Sequence, residues 1–357
     1  MKPLTQSAIT VISSSIALLL SFLTGGVFIL LIGMDPLLVY NRLFSETLGS
    51  WYGMGQVLFK STTFIFTGLS AAVAFRSGLF NIGAEGQLII GALSIAYVGM
   101  TFTSLPPVLL IVLCICAGCL GGAMWGVIPG VLKARYGSHE VITTIMMNFI
   151  AAALVSYFVN NILGVPATIH THRIAEAAEL PRLETALPQF HGSPVNVSFL
   201  LSLVTSLLMY HLISKTRLGY ELRATGLSKS AANYAGINVR SLTITAMALA
   251  GGIAGIGGSN FVMGYKHYFE IGFSDGAGFI GIAAALLGKN HPLGIIMAAI
   301  FFGILEYGGL AINTLVPKEL VNILQAIVIL STIVLTKVMN QFAQSLQSRF
   351  FGENVYA

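Results

Sequence analysis

The chain has 357 residues, of which 55% are hydrophobic and only 9% are charged, and its mean hydropathy is +0.85. Soluble domains carry about 25% charged residues, so this composition excludes a soluble globular protein and predicts an integral membrane protein. The net charge of +5 is no sign of nucleic-acid binding, because surplus Lys and Arg in membrane proteins mostly record orientation. We therefore expect the lipid bilayer, and no nucleic acid, as a partner.

Apolar windows of about 20 residues predict an all-α integral membrane fold of about ten transmembrane helices. We treat residues 1–357 as one transmembrane domain and the first apolar run as a retained span rather than a signal peptide. The eighth window is too short to cross about 30 Å of hydrocarbon, so it either extends back through 271–273 or is half of a broken helix. The predicted spans are 8–32, 57–75, 86–104, 107–129, 141–164, 196–214, 241–262, 276–288, 292–313 and 319–338.

The connection after the second span is the most unusual stretch. Residues 75–91, FRSGLFNIGAEGQLIIG, separate two apolar runs with hydrogen-bonding side chains and with glycines that let the backbone bend. Lipid does not tolerate exposed irregular backbone, so this break must lie at the membrane edge, inside protein or along a water-filled path. Two interpretations stay open: a discontinuous helix that lines a substrate path, or a short cytoplasmic turn anchored by Arg76.

Motifs for catalysis are absent from the sequence. It contains no GxxxxGK[ST] phosphate loop, HExxH motif or GxSxG elbow, so we expect no ATP hydrolysis and no catalytic residue in this chain. Cys114, Cys116 and Cys119 share an apolar run without a His or carboxylate, which favours packing over metal binding. His170 and His172 have no third ligand nearby, so we predict no metal site.

Lys and Arg are distributed unevenly between the predicted loops. With the N-terminus and residues 215–240 inside, twelve of the eighteen fall on the cytoplasmic side, so both termini are predicted to be cytoplasmic. The largest external loop, 164–195, carries four prolines and three glutamates. It either docks a soluble partner or covers the helix bundle.

The cytoplasmic loop 215–240 is the most polar stretch of the chain. Gly219 and Gly226 bracket YELRAT, an Ala-rich stretch follows at 230–234, and Gly236 resembles a helix stop. The pattern predicts a short helix–turn–helix against the membrane surface. A solvated loop would explain its charge but not its Gly and Ala pattern, and the other interpretation is a docking element for a cytoplasmic partner.

Two further features concern helix packing and a possible repeat. The glycines of GGIAGIGG, 251–258, favour close helix contact over a direct role with substrate. Residues 78–84 weakly resemble residues 278–284, and the predicted topology sends the two segments in opposite directions. Opposed interrupted helices are typical of an inverted repeat around a midplane site. Glu306 is the clearest intramembrane carboxylate and is either a proton relay or a packing group.

Four motifs together carry a family resemblance, and they lie at 75–92, 125–150, 218–239 and 281–295. With them the chain resembles, over about residues 8–340, the inner-membrane permease subunits of ABC importers in the branched-chain amino acid, sugar and nucleoside superfamily. It looks most like the larger permease of nucleoside importers. The apolar residues Ala277 and Ile280 depart from the family's frequent aromatic or polar residues, which leaves the cargo preference open.

The resemblance implies a path for a nucleoside or related small polar solute through the bacterial cytoplasmic membrane. A separate cytoplasmic ABC ATPase would bind Mg-ATP, so the chain itself needs no cofactor. A second permease, expected to be a distinct homologue, and an extracytoplasmic solute-binding protein would complete the importer. The loop 218–239 would couple to the ATPase.

Candidate residues follow for the path and for the coupling. Asn81 and Gln87 are expected to hydrogen-bond a ribose or base edge, and Phe80 or Phe279 to offer a stacking face. The path candidates are Phe80, Asn81, Glu85, Gln87, Asn148 and Phe279. The coupling candidates are Glu221, Arg223, Gly226, Ala231, Ala232, Tyr234 and Gly236.

Other functions remain open at this stage. The cargo of an ABC permease of this kind can also be a sugar or an amino acid. A secondary transporter or channel would use Glu306 and Glu85 as proton or ion sites. A membrane scaffold without transport would use the loop 165–195 as its working surface.

Overall fold

A computed structural model describes residues 6–31 and 33–315, and beyond them 317, 319, 321–323, 325–327, 330–331, 334 and 338. This described part is helical and contains isolated bridge pairs but no strand. Its α-helices are α1 (Gln6–Leu31), α2 (Pro36–Leu48), α3 (Trp51–Arg76), α4 (Ala84–Thr101), α5 (Pro107–Tyr136), α6 (Glu140–Phe158), α7 (Ser198–Lys215), α8 (Arg217–Leu227), α9 (Lys229–Tyr234), α10 (Val239–Ile256), α11 (Ser259–Val262), α12 (Ala277–Leu287) and α13 (Pro292–Ala311).

Seven helices in the described residues are long and apolar enough to cross a membrane. They are α3, α4, α5, α6 with its π-helical extension Val159–Leu163, α7, α10 continued through α11, and α13, and they confirm seven of the ten predicted spans. An eighth is counted if the end of α1 and α2, bent by 119°, form one broken span. The short eighth window is α12, with 11 residues. Nine of the twenty residues of the predicted span 319–338, and Lys2, Lys318, Lys337 and Arg349 of the charge count, lie outside the described residues.

The chain divides into two compact units, Met1–Thr47 with Leu305–Ala357, and Leu48–Ile304. In the first unit the Tyr40 hydroxyl donates a hydrogen bond to the Phe22 carbonyl at 2.7 Å, and the two rings meet edge to face. The second unit contains every candidate residue except Glu306.

Glycines bring α5 and α10 into backbone contact within the second unit. A Cβ atom added to Gly122 would clash with the carbonyl of Gly251, and one added to Gly251 would clash with the carbonyl of Gly122. Gly118 and Gly255 form the same kind of pair one turn away. The prediction that GGIAGIGG serves helix packing is therefore confirmed. Of the three cysteines, all free, Cys114 is buried in an apolar cluster with Ala92 and Ile95.

The loop after α6 is an ordered segment that covers one end of the bundle. We call residues 164–197 the cap segment. Its backbone bonds to the end of α4 and to the connection between α11 and α12: the N–H groups of Thr171, Ile174, Ala175 and Leu180 donate to the carbonyls of Phe269, His267, Gly99 and Met263. Of the two interpretations of this loop, covering the bundle is therefore the one that these bonds describe, and docking stays a prediction.

Candidate functional site

The break between α3 and α4 turns back into the protein. Gly78, at φ +70°, makes the turn after α3, and Leu79 N donates to the Ala74 carbonyl at 2.9 Å. Asn81 then donates to the hydroxyl of Ser70, which lies about 9 Å along α3 from its end at Arg76. Leu79 and Asn81 are fully buried, so α4 begins inside protein rather than at an exposed turn.

Asn81 and Gln87 pair with each other across this break. Asn81 Nδ2 donates to Gln87 Oε1 at 2.8 Å, and Gln87 Nε2 donates back to Asn81 Oδ1 at 3.2 Å. Gly83 N also donates to Asn81 Oδ1. Both side chains are completely buried, so their amides fix the shape of the break from within.

Asn148 of α6 fastens the start of α4 from the other side. Its Oδ1 accepts from Gly86 N at 2.9 Å, and its Nδ2 donates to the carbonyl of Ile82 at 2.9 Å. The first N–H groups of a helix have no partner inside the helix, so Asn148 satisfies one that would otherwise be orphaned.

Glu85 joins the start of α4 to the start of α12. Its carboxylate accepts from Ser274 Oγ at 2.5 Å and from Gly278 N at 2.6 Å. A carboxylate at this place complements the positive end of the α12 dipole. Thr67 of α3 adds a hydrogen bond from its hydroxyl to the Ala277 carbonyl at 3.0 Å. We call Asn81, Glu85, Gln87, Asn148 and Ser274 the polar junction.

From the polar junction the two helices run in opposite directions. α4 leads to Gly99, whose carbonyl accepts from the cap segment. α12 leads to Asn290, whose carbonyl accepts from Arg76 at the far end of α3. The opposed directions were predicted. The weak sequence resemblance between these segments does not extend to their structures, because 78–84 lies mostly in the break and 278–284 lies within α12.

Two aromatic side chains next to the polar junction are exposed. Phe80 is 52% exposed and packs its ring edge to face against Phe75, with 5.0 Å between centroids. Phe279, one residue after the N–H that Glu85 binds, is 50% exposed. Within the described residues these candidates therefore divide into buried amides and a carboxylate that bond to the protein, and exposed rings that are free to contact other molecules.

The loop 215–240 is a helix–turn–helix, as predicted. α8 begins after Thr216, whose hydroxyl accepts from Gly219 N, and α9 begins after Ser228, whose hydroxyl accepts from Ala231 N. α9 ends just before Gly236, which has φ +81° and is the predicted stop. We call residues 217–236 the coupling segment.

The predicted coupling residues occupy different places in this segment. Glu221 binds Arg217 at 2.7 Å, and Ala232 is buried and holds α9 in place. Gly226 packs on the carbonyl of Arg76 and against Gly78, so α8 rests directly on the break.

The tip of the coupling segment is exposed and apolar beside a basic groove. Leu227 and Tyr234 are 90% and 98% exposed. The adjoining groove of about 620 Å³ is lined by Lys229, Ser230, Asn233, Gly236, Ile237, Asn238, Val239 and Arg240.

Sequence reasoning did not find several residues that hold the site. Ser274 and Thr67 tie α12 in place, and the buried pair Asn196 and Asn260 bonds the base of the cap segment to α3 through Phe59 and Thr63. A hydroxyl or amide in an apolar run was the only signal, and it does not name a partner.

Glu306 lies in α13 of the first unit, where it is 4% exposed and accepts from Gln325 at 3.3 Å. No group of three His, Cys, Asp or Glu that could hold a metal ion occurs among the described residues.

Comparison with known proteins gives a consistent result. Residues 53–333 match the family model described as a branched-chain amino acid transport system permease component. The guanosine ABC transporter permease protein NupP of Bacillus subtilis is 38% identical over 323 residues, covering 88% of this chain and 90% of NupP. A second Bacillus subtilis guanosine permease protein, NupQ, is 27% identical over 282 residues, which cover 76% of this chain and 87% of NupQ.

Two further relatives differ in the cargo that their names give. The nucleoside permease protein NupB of Lactococcus lactis is 36% identical over 321 residues, covering 88% of each chain. The glucose permease protein TsgB13 of Haloferax volcanii is 35% identical over 323 residues, covering 88% of this chain and 85% of TsgB13.

Proposed function

Because the chain belongs to the family of branched-chain amino acid transport system permease components, we propose that it is the permease subunit of an ABC importer for nucleosides. It is a multi-pass protein of the cell membrane, with helices of sufficient length and apolarity. The nucleoside cargo is supported by NupP and NupB, relatives that are named for guanosine and nucleoside transport and that match over most of their length. A separate ATPase subunit hydrolyses ATP.

The polar junction is the observation that supports a path at this place. Two helices of opposite direction begin inside the protein, which is the arrangement found around midplane sites in transporters. We assign Asn81, Glu85, Gln87 and Asn148 to holding these helix starts rigidly. Phe80 and Phe279 are the side chains beside the junction that offer aromatic faces to a nucleobase.

The coupling segment is the docking surface for the ATPase in this proposal. Its exposed Leu227 and Tyr234, next to Lys229 and Arg240, suit an interface with an apolar centre and a charged rim. Nucleotide-driven movement of the ATPase would shift α8 and α9, and the bundle would alternate between outward and inward openings.

The remaining partners follow from the same assignment. A second, distinct permease is supported by NupP and NupQ, two guanosine permease proteins of one bacterium that both match this chain. A solute-binding protein would deliver cargo on the side of the cap segment. In this arrangement residues 1–357 form one permease domain, with both termini and the coupling segment cytoplasmic.

A sugar importer is the second candidate, and the 35% identity to the glucose permease TsgB13 supports it. An ion-coupled transporter fits the described geometry less well, because both carboxylate oxygens of Glu85 accept hydrogen bonds from α12 and its preceding connection.

Uptake competition in intact cells tests the cargo. Cells with and without the gene for this chain take up radiolabelled guanosine in the presence of excess unlabelled guanosine, glucose or leucine. We expect gene-dependent uptake that guanosine abolishes and that glucose and leucine leave unchanged. Absence of gene-dependent guanosine uptake, together with gene-dependent uptake of radiolabelled glucose, would assign the sugar function instead.

A further inference from the structure

Arg76 contacts both α8 of the coupling segment and the turn between α12 and α13. Its Nη2 and Nε donate to the carbonyl of Asn290 at 3.2 and 3.4 Å, which anchors the turn between α12 and α13. Its own carbonyl lies under Gly226 of α8, so closely that a Cβ atom there would clash with it. One residue thus links α8 to the end of α12.

The charge on α8 acts at the same place. Arg223 lies close enough for its positive charge to interact with that of Arg76. Like charges repel, so a shift of α8 changes the free energy of the Arg76 guanidinium in its present position. Arg76 therefore responds to α8 through the contact of its backbone carbonyl and through the charge of its side chain.

The turn that Arg76 holds is strained and has unused hydrogen-bonding capacity. Lys289 and Asn290 both have left-handed backbones, at φ +52° and +55°. Among the described residues, Asn290 Oδ1 and Thr225 Oγ1, the latter next to Gly226, are buried without a hydrogen-bond partner. Strain and unpaired buried acceptors both favour an element with a second arrangement.

We infer that Arg76 is a positioning residue that transmits movement of the coupling segment, through the α12–α13 turn and α12, to Glu85 at the polar junction. The inference rests on the proposed function and names a route within it. When α8 moves, Arg76 moves with the end of α3 and pulls on Asn290. α12 follows. Gly278 in its first turn and Ser274 in the connection before it are the two partners of the Glu85 carboxylate.

The test uses the assembled importer, with its ATPase, second permease and solute-binding protein, in liposomes. Guanosine uptake and ATP hydrolysis are measured together for the wild type, Arg76→Gln and Arg76→Lys. Arg135→Gln is the control, because it removes an exposed positive charge from the predicted cytoplasmic side at the end of α5. Wild-type vesicles without ATP-dependent uptake would overturn the proposed function itself.

We expect Arg76→Gln to hydrolyse ATP at close to the wild-type rate while guanosine delivered per ATP falls about tenfold, because the anchor to Asn290 is lost. Arg76→Lys keeps the charge but not the guanidinium fork, so its guanosine delivered per ATP should lie between those of Arg76→Gln and the wild type. A merely structural role would lower both rates together or prevent assembly. If the importer with Arg76→Gln does not assemble, the importer with Arg76→Lys is compared with the Arg135→Gln control by the same measure, guanosine delivered per ATP hydrolysed. Guanosine per ATP equal to that of Arg135→Gln would overturn the inference.

Discussion

Glu85 serves two helix starts at once, one through its backbone and one through its side chain. It lies in the first turn of α4, and its carboxylate binds the first turn of α12. A Gln at this position would present one acceptor oxygen in place of two and would remove the negative charge at the α12 dipole.

We predict that Glu85→Gln lowers the free energy of unfolding by about 1–3 kcal/mol, because it leaves a buried donor unpaired. Denaturant unfolding of the purified protein in detergent measures this change. Glu176→Gln, at an exposed position of the cap segment, is the control and should have no effect. Equal stability of the two variants would show that Glu85 does not fasten α12.

Adjacent glycines on α10 provide a matched test of the contact with α5. Gly251→Ala pushes a Cβ atom into the Gly122 backbone, so we expect a loss of about 1–3 kcal/mol in unfolding free energy. Gly252→Ala brings its Cβ to 3.0 Å from the Cys119 Sγ and 3.3 Å from the Cys119 carbonyl oxygen, and the gain of about 1 kcal/mol in helix propensity offsets these milder contacts. Denaturant unfolding compares them, and a larger loss at Gly252 would contradict the packing.

At the scale of elements, the coupling segment shows what local sequence determines. The two glycines, the alanines and the stop at Gly236 predicted both short helices, because caps and turns depend on neighbouring residues. The same reasoning did not show that Gly226 packs on Arg76, since a glycine does not specify which backbone approaches it. The exposed tip of the coupling segment can be tested separately.

We predict that Tyr234→Ser weakens binding of the ATPase at least tenfold, because an exposed aromatic side chain at the tip would be a central anchor of the interface. Titration of the ATPase onto the permease in nanodiscs measures the Kd. Tyr136→Ser removes another tyrosine, 76% exposed, from the predicted cytoplasmic side and is the control. Equal effects of the two changes would rule out a specific role for Tyr234.

A histidine in the connection between α11 and α12 contacts the cap segment and links the stability of this region to pH. His267 lies 3.6 Å from Glu179, with Arg173 and Arg182 nearby, and burial lowers its pKa below 6.5 despite the attraction of Glu179. The folded protein therefore binds a proton at His267 less readily than the unfolded chain. Its contribution to stability is complete above pH 6.5 and is lost as the pH falls below that value.

We expect the thermal midpoint temperature to decrease as the pH is lowered from about 7.5 to about 5.5, and we expect His267→Asn to make that decrease smaller. Asn suits the left-handed backbone at this position, φ +64°. His191→Gln, at a side chain that is 92% exposed, should leave the pH dependence unchanged. An identical pH profile for wild type and His267→Asn would contradict the assignment.

At the scale of the whole molecule, hydropathy predicted ten spans. Seven of them are confirmed among the described residues, because each crossing helix needs about 20 apolar residues. Hydropathy also predicted that the eighth window, α12, is too short. The interior of the site was less predictable. Asn81 and Gln87 were expected to bind cargo but pair with each other, and Glu85 bonds to Ser274, 189 residues away. Such partners are set by the packing of distant helices, which a local pattern does not contain.

The central claim is that this chain forms a path that a separate ATPase drives. The most direct test reconstitutes the two permeases in liposomes, with and without the ATPase, and follows radiolabelled guanosine presented by the solute-binding protein. The account predicts accumulation only when both the ATPase and ATP are present, and no effect of a protonophore. Accumulation without the ATPase, abolished by the protonophore, would contradict it.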